Sequence, residues 1–163
     1  MPRFKLDVED PASCKRQAFD LLARREHSRR ELERKLASRG FAEDLIGPAL
    51  DDLEASGALA TARFTESFIR ARVARGKGPV RIRAELAERG VADGAALLRD
   101  SDVDWVEEAR AARTKRFGAA LPRDFKERAR QMRFLQSRGF NSAQIAAALD
   151  VDESVDDLEG EGD

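Results

Sequence analysis

Apolar residues recur along this chain at helical spacing and are interrupted by short turns rich in glycine and proline. From about Ser13, Ala18, Phe19, Leu22 and Ala23 predict one apolar helix face. Ser28-Arg29-Arg30-Glu31 then has the form of a capping box, in which serine caps the third following amide and glutamate reaches back. The helix it opens turns Leu32 and Leu36 inward and stops at Arg39-Gly40. A third helix follows, with Leu45, Ile46, Ala49, Leu50 and Leu53 on one side and Pro48 in its first turns; it ends at Ser56-Gly57.

From Thr61, one stripe holds Phe64, Phe68 and Ala71 and a second holds Ile69 and Val73, the pattern of a helix packed between neighbours. Arg63, Arg70 and Lys77 fall seven apart on a remaining face. Gly76-Lys77-Gly78 breaks that helix, and Pro79 suits the first position of the next, which buries Ile82 and Leu86 and ends at Arg89-Gly90. A short, glycine-interrupted helix is expected over Ala92–Arg99. Then Trp105, Ala109 and Ala112 face one way up to Phe117-Gly118, and Phe125, Ala129, Met132 and Leu135 mark a helix ending at Arg138-Gly139. Asn141 and Gln144 can form a second capping box, with Phe140 stapled onto Ile145.

The three middle helices repeat one another: RKLASRGF (34–41), AELAERGV (84–91) and RFLQSRGF (133–140), with glycines 50 and then 49 residues apart. Each glycine follows arginine, has leucine four before it and an apolar residue after it. A helical pattern with that period predicts an all-α tandem array of three three-helix repeats, elongated and curved, each covering its neighbour's apolar face. The boundaries read as a flexible arm (1–12), repeats at 13–57, 58–103 and 104–150, and an acidic disordered tail (151–163).

Charge changes the picture. The net value of −1 conceals eight acids and no base from Asp150 to the end, against ten bases and two acids between Ala109 and Arg138. A basic body favours an anionic partner, with nucleic acid first; charge alone leaves a helical protein with solvated arginine faces equally open. No apolar run is long enough for a membrane span, the N-terminus lacks a signal-peptide core, and a single Cys14 excludes an internal disulfide, so the cytosol is the expected address.

Candidate chemistry is mostly excluded. His27 reads as an exposed residue beside a helix cap, without a partner for nucleophilic catalysis, and no Cys/His cluster can hold zinc. Gly76-Lys77-Gly78-Pro79 lacks the spacing of a phosphate loop. Asp100-Ser101-Asp102-Val103-Asp104 begins like a calcium loop but meets Trp105 where glycine is required, so these acids are expected to cap the helix from Trp105. The expectation is a chain that is not an enzyme and takes no cofactor or metal. Helix, Arg-Gly turn, helix is also the outline of a duplex-reading helix-turn-helix, although MRFLQSRGFNSAQIAAAL offers only Asn141, Ser142 and Gln144 as base readers. An exposed aromatic stacking platform of the kind single-strand binders use is not evident.

ARREHSRRELERKLASRGF followed by ARFTESFIRARVARGKGPVRIRAELAERGV resembles the RecX family of bacterial recombination regulators, from about Ala18 to Leu149. The resemblance is most specific at Arg63-Phe64, Ser67-Phe68 and Gly76-x-Gly78-Pro79, with Ile82, Glu85-Leu86 and Gly90. It departs at Ala60-Thr61-Ala62, where the family often has an acidic pair, and at Lys77, often aromatic or apolar. The resemblance implies a non-enzymatic regulator of recombination and the SOS response, and a monomer is the expected state. It would bind the RecA recombinase filament on single-stranded DNA and inhibit its extension, ATPase, strand exchange and co-protease activities. The alternative is a helix-turn-helix-like protein acting on duplex DNA independently of RecA. The residues expected to face filament and DNA are Arg63, Arg70, Arg72, Arg75, Lys77, Arg81, Arg83, Arg110, Arg113, Lys115, Arg116, Lys126, Arg128, Arg130 and Arg133.

Overall fold

The computed structural model describes residues 6–150. The segment 151–163, expected to be disordered, and residues 1–5 of the expected arm lie outside the described residues. These contain nine helices and no strand: α1 (Pro11–Arg24), α2 (Arg29–Ser38), α3 (Glu43–Ala55), α4 (Thr61–Ala74), α5 (Pro79–Glu88), α6 (Gly94–Arg99), α7 (Trp105–Phe117), α8 (Phe125–Arg138) and α9 (Ser142–Ala148). Among them, none is long and apolar enough to cross a membrane.

The repeated RG turn has one physical explanation in all three copies. Gly40, Gly90 and Gly139 adopt φ of +98, +84 and +95°, the left-handed region that a side chain disfavours. The following residue's N–H reaches back to the leucine carbonyl: Phe41 to Leu36, Val91 to Leu86 and Phe140 to Leu135, at 3.0–3.2 Å. The glycine N–H bonds one residue further on, to Ala37, Ala87 and Gln136. This is the Schellman closure, which satisfies the last helix carbonyls and presses the apolar residue after glycine onto the leucine. All three leucines are fully buried. The spacing read from the sequence is therefore the conformational requirement of one turn type.

The chain gathers into two compact units, Met1–Phe68 with Leu86–Asp93 (unit 1) and Ile69–Glu85 with Gly94–Asp163 (unit 2), so α4 and α5 of the middle repeat each contribute to both. Unit 1 is centred on Cys14, Ala18, Leu21, Leu32, Leu36, Ile46, Leu50 and Leu53. Its first helix starts at Pro11, two residues before the apolar pattern indicates. Asp10 caps it by accepting from Ala12 and Ser13, and Val8 already packs on the core, so the expected arm is anchored from Val8 onward. The inward face of α1 is Cys14–Ala18–Leu21, which leaves Phe19, expected inside, 54% exposed.

His27 is likewise not the exposed residue expected: it is 1% exposed. The Lys35 ammonium has no lone pair, so at 2.9 Å it donates to Nε2, and Nδ1–H donates to the Arg25 carbonyl at 2.9 Å. Burial, with the Arg25 and Lys35 charges added, holds the imidazole below its ordinary pKa against the opposing pull of the backbone bond and Glu31.

Unit 2 has its core at Ala109, Leu135, Phe140, Ile145, Ala148 and Leu149, with Trp105, Ala112 and Phe134 packed against it. Asp104 caps α7, and Asn141 and Gln144 form the expected reciprocal box on α9. The expected α8 face is rotated: Gln131 and Leu135 point inward, while Phe125 is 83% and Met132 44% exposed.

Candidate nucleic-acid interface

The two units differ in charge. Among the described residues, unit 1 carries 11 bases and 15 acids, a net −4, whereas unit 2 carries 17 bases and nine acids, a net +8. Every candidate residue except Arg63 falls in unit 2.

Several candidates are engaged within the protein. Arg63 pairs with Glu26 at 2.9 Å and donates to the carbonyls of Gly57 and Ala58, so its fork closes the turn into α4. Arg72 and Arg81 share Glu85, and Arg81 also reaches the Ser137 carbonyl. Burial pushes Glu85 up, but the hydrogen bonds and charges of the two arginines outweigh it and hold the carboxyl below the usual range. Arg110 is tied to Glu107, to the Ala147 carbonyl and, at 3.6 Å, to Asp150. Arg130 pairs with Glu127 at 3.5 Å.

Arg113 is a correction. It is 4% exposed and donates to the carbonyls of Gly118, Ala119 and Ala120 and to Gln131, closing the end of α7 instead of facing a partner. A buried guanidinium requires such acceptors; the carbonyls of the turn just beyond α7 supply them to its two terminal nitrogens, while Nε has none among the described residues.

The Gly-Lys-Gly-Pro stretch is pinned. The Gly78 N–H donates to the Arg138 carbonyl at 2.8 Å and Val80 N–H to the Gly139 carbonyl at 2.9 Å. A β-carbon on Gly78 would lie 2.5 Å from the Phe140 nitrogen, and one on Gly139 2.7 Å from the Arg81 nitrogen, so two backbones meet where only glycines allow it. Since α4 stops at Ala74 and Gly76 takes φ of +73°, Lys77 has left the helical stripe expected to join it to Arg63 and Arg70. Partial burial, followed by the nearby Arg81 and Arg138 guanidiniums, pushes its ammonium below the ordinary value.

The remaining candidates leave charge on the surface. Arg75, Arg83, Lys115, Arg116, Lys126, Arg128 and Arg133 are exposed, as is Arg70, which is engaged within the protein. Arg75, Lys115 and Arg116 converge with Arg138, which sequence reasoning missed, on a cleft of about 330 Å³. Val73, Ala111, Ala112 and Phe134 supply its apolar lining, and Glu108 its acid. Phe134 stands edge-on to Phe117, centroids 5.2 Å apart. Arg116 and Arg130 lie over Phe117 at 5.4 and 5.3 Å, and Arg138 over Phe134 at 5.1 Å. Such contacts hold a planar cation against a ring without neutralising its charge. The aromatic surface not evident in the sequence is thus present as this pair and exposed Phe125. The one local signal is a basic residue next to each ring: Arg116-Phe117 and Arg133-Phe134.

The helix-turn-helix outline fares less well. Asn141 and Gln144 bond each other's backbone N–H at 2.9 Å, which occupies two of its three base readers. Among the described residues, no group of His, Cys, Asp and Glu could hold a metal ion.

Three stretches match family descriptions: RecX, first three-helix domain (14–53), second (62–96) and third (102–149). The Regulatory protein RecX of Halorhodospira halophila is 53% identical over 141 residues, covering 83% of this chain and 88% of that one. The protein of the same name from Ectopseudomonas mendocina is 46% identical over 144 residues, covering 87% and 96%. Among solved structures, RecX from Lactobacillus salivarius superposes with a TM-score of 0.71 at 22% identity, covering 90% of this chain and all of that chain, a likeness of fold.

Proposed function

The chain belongs to the RecX family of regulatory proteins, and we propose that it regulates homologous recombination by binding the RecA filament on single-stranded DNA. On this reading it is not an enzyme. It inhibits filament extension and, with it, RecA's ATPase, strand exchange and co-protease activities, and so dampens the SOS response in the cytoplasm.

One observation carries the reading: the described residues of unit 2 concentrate a net +8 and keep part of it unneutralised at the surface. A filament on single-stranded DNA is a polyanion, and a cationic surface raises both encounter rate and affinity for it. The duplex-reading alternative is weaker, because α9 is seven residues long and its polar side chains at Asn141 and Gln144 serve the cap.

The test is titration of RecA's DNA-dependent ATP hydrolysis with this protein. Half-inhibition well below one copy per RecA monomer is expected, because a block to growth acts on many subunits at once. Inhibition only at amounts that coat the DNA would point to competition for the strand, and none at all would end the proposal.

A further inference from the structure

We propose that the unit 2 cleft takes one nucleotide of single-stranded DNA, with the base against Phe134 and the phosphate on the surrounding cations. The inference deepens the reading above, on which it rests for the identity of the strand. The cleft combines two chemistries. Its lining of Val73, Ala111, Ala112 and Phe134 is apolar and includes an aromatic ring, whereas Arg75, Lys115, Arg116 and Arg138 set four cations around it against the single acid Glu108. None of the four has a carboxylate within ion-pair distance among the described residues. A simple anion would leave the apolar lining unfilled, and an apolar ligand would leave four cations uncompensated. A nucleotide satisfies both, since any base has a π-face to stack on an aromatic ring and its phosphate accepts from guanidinium groups.

The guanidinium of Arg138 over Phe134 occupies the ring in the absence of a ligand. A base entering the cleft takes its place, and Arg138 swings onto the phosphate. Duplex DNA presents phosphates but keeps its bases paired and stacked, so it gains the charge contacts without the stacking. The cleft therefore selects for unstacked strands and is indifferent to sequence.

The experiment measures binding by fluorescence anisotropy, without RecA, to a thymidine oligonucleotide and to an abasic strand with the same number of phosphates. Wild-type protein should prefer the thymidine strand by about tenfold, the size of one base–aromatic stacking contact. Ala111→Leu fills the cleft from an exposed helix position and changes no charge, so it should abolish the preference. Glu108→Gln should tighten binding to both strands. Equal wild-type affinity for the two strands, or a preference that survives Ala111→Leu, would overturn the assignment. Because RecA is absent from this measurement, a wild-type protein that shows no preference yet still inhibits RecA would discard the nucleotide cleft and leave the regulatory reading standing.

Discussion

Units 1 and 2 are built around the same Leu-x-x-Arg-Gly turn, yet they differ in where arginine charge is left without a carboxylate. In unit 1, Arg29 meets Glu33, Asp51 and Glu54 at 2.8–3.2 Å, while Arg25 and Arg89 share Glu31 and Arg63 takes Glu26. In unit 2, Arg75, Lys115, Arg116 and Arg138 stand around one cleft with a single carboxylate, and two of them lean on aromatic rings. Exposed ion pairs contribute only about 0–1 kcal/mol each, so this pairing is a weak source of stability for unit 1. Its larger consequence is a neutralised surface. In unit 2 the same residue type serves both ends: Arg72, Arg81 and Arg113 are folded into the scaffold, whereas the four cations of the cleft are held out as potential.

The largest effect should come from removing charge from each unit in turn. Changing Arg75, Lys115, Arg116 and Arg138 together to Gln should weaken single-stranded DNA binding by about a hundredfold or more at low salt. The slope of log affinity against log salt should flatten by about 0.7 per lost phosphate contact. The matching quadruple change at exposed Arg24, Arg30, Arg34 and Arg39 of unit 1 should alter affinity by less than about threefold. Equal losses would erase the distinction between the units.

Glycine offers a contrast in stability. Gly78→Ala forces a β-carbon into the Phe140 backbone and should cost about 1–3 kcal/mol in a urea melt. Gly47→Ala lies inside α3 with open space around it and should stabilise by about 0.4–1 kcal/mol. A destabilised Gly47→Ala would mean that the packing of α3 is misread.

The pH response should be seated in unit 1. His27 has a folded pKa below its ordinary 6.5, so the unfolded chain binds the proton more readily. Its contribution is complete above pH 6.5 and is lost as the pH falls from there towards the depressed folded value. Circular dichroism melts at pH 7 and pH 5 should show the loss, and His27→Asn should shrink it. Fluorescence of Trp105, in unit 2, reports whether that unit follows.

The smallest effect concerns the acidic segment. Truncation after Asp150 removes seven carboxylates and should tighten single-stranded DNA binding a few-fold at low salt, as the loss of a competing polyanion. Unchanged affinity would separate that segment from the basic surface.

Much of the fold was legible because it rests on local rules. The Schellman turn demands leucine, glycine and an apolar residue at fixed offsets, and the capping boxes demand Ser28/Glu31 and Asn141/Gln144, so sequence spacing alone exposes them. Buried polar residues were not legible. His27, Arg113 and Gln131 go inside because Lys35, helix-end carbonyls and Glu127 meet them there, and those partners come together only in the folded chain. The face of α8 was misjudged for the same reason: Gln131, not Met132, has a partner waiting. The candidate surface was legible as a list of bases, but which of them are neutralised depends on tertiary neighbours. Arg138 was hidden because it belongs to the repeated turn and so reads as architecture.

The four cations of the unit 2 cleft, and not basic residues in general, are the groups expected to act on RecA. ATP hydrolysis by RecA on single-stranded DNA, titrated with wild type and the two quadruple variants, measures this directly. The unit 1 variant should inhibit like wild type, while the unit 2 variant should need at least about tenfold more protein for half-inhibition, the effect of losing several charge contacts. If the two variants inhibit equally well, or the unit 1 variant is the one that fails, the account is contradicted.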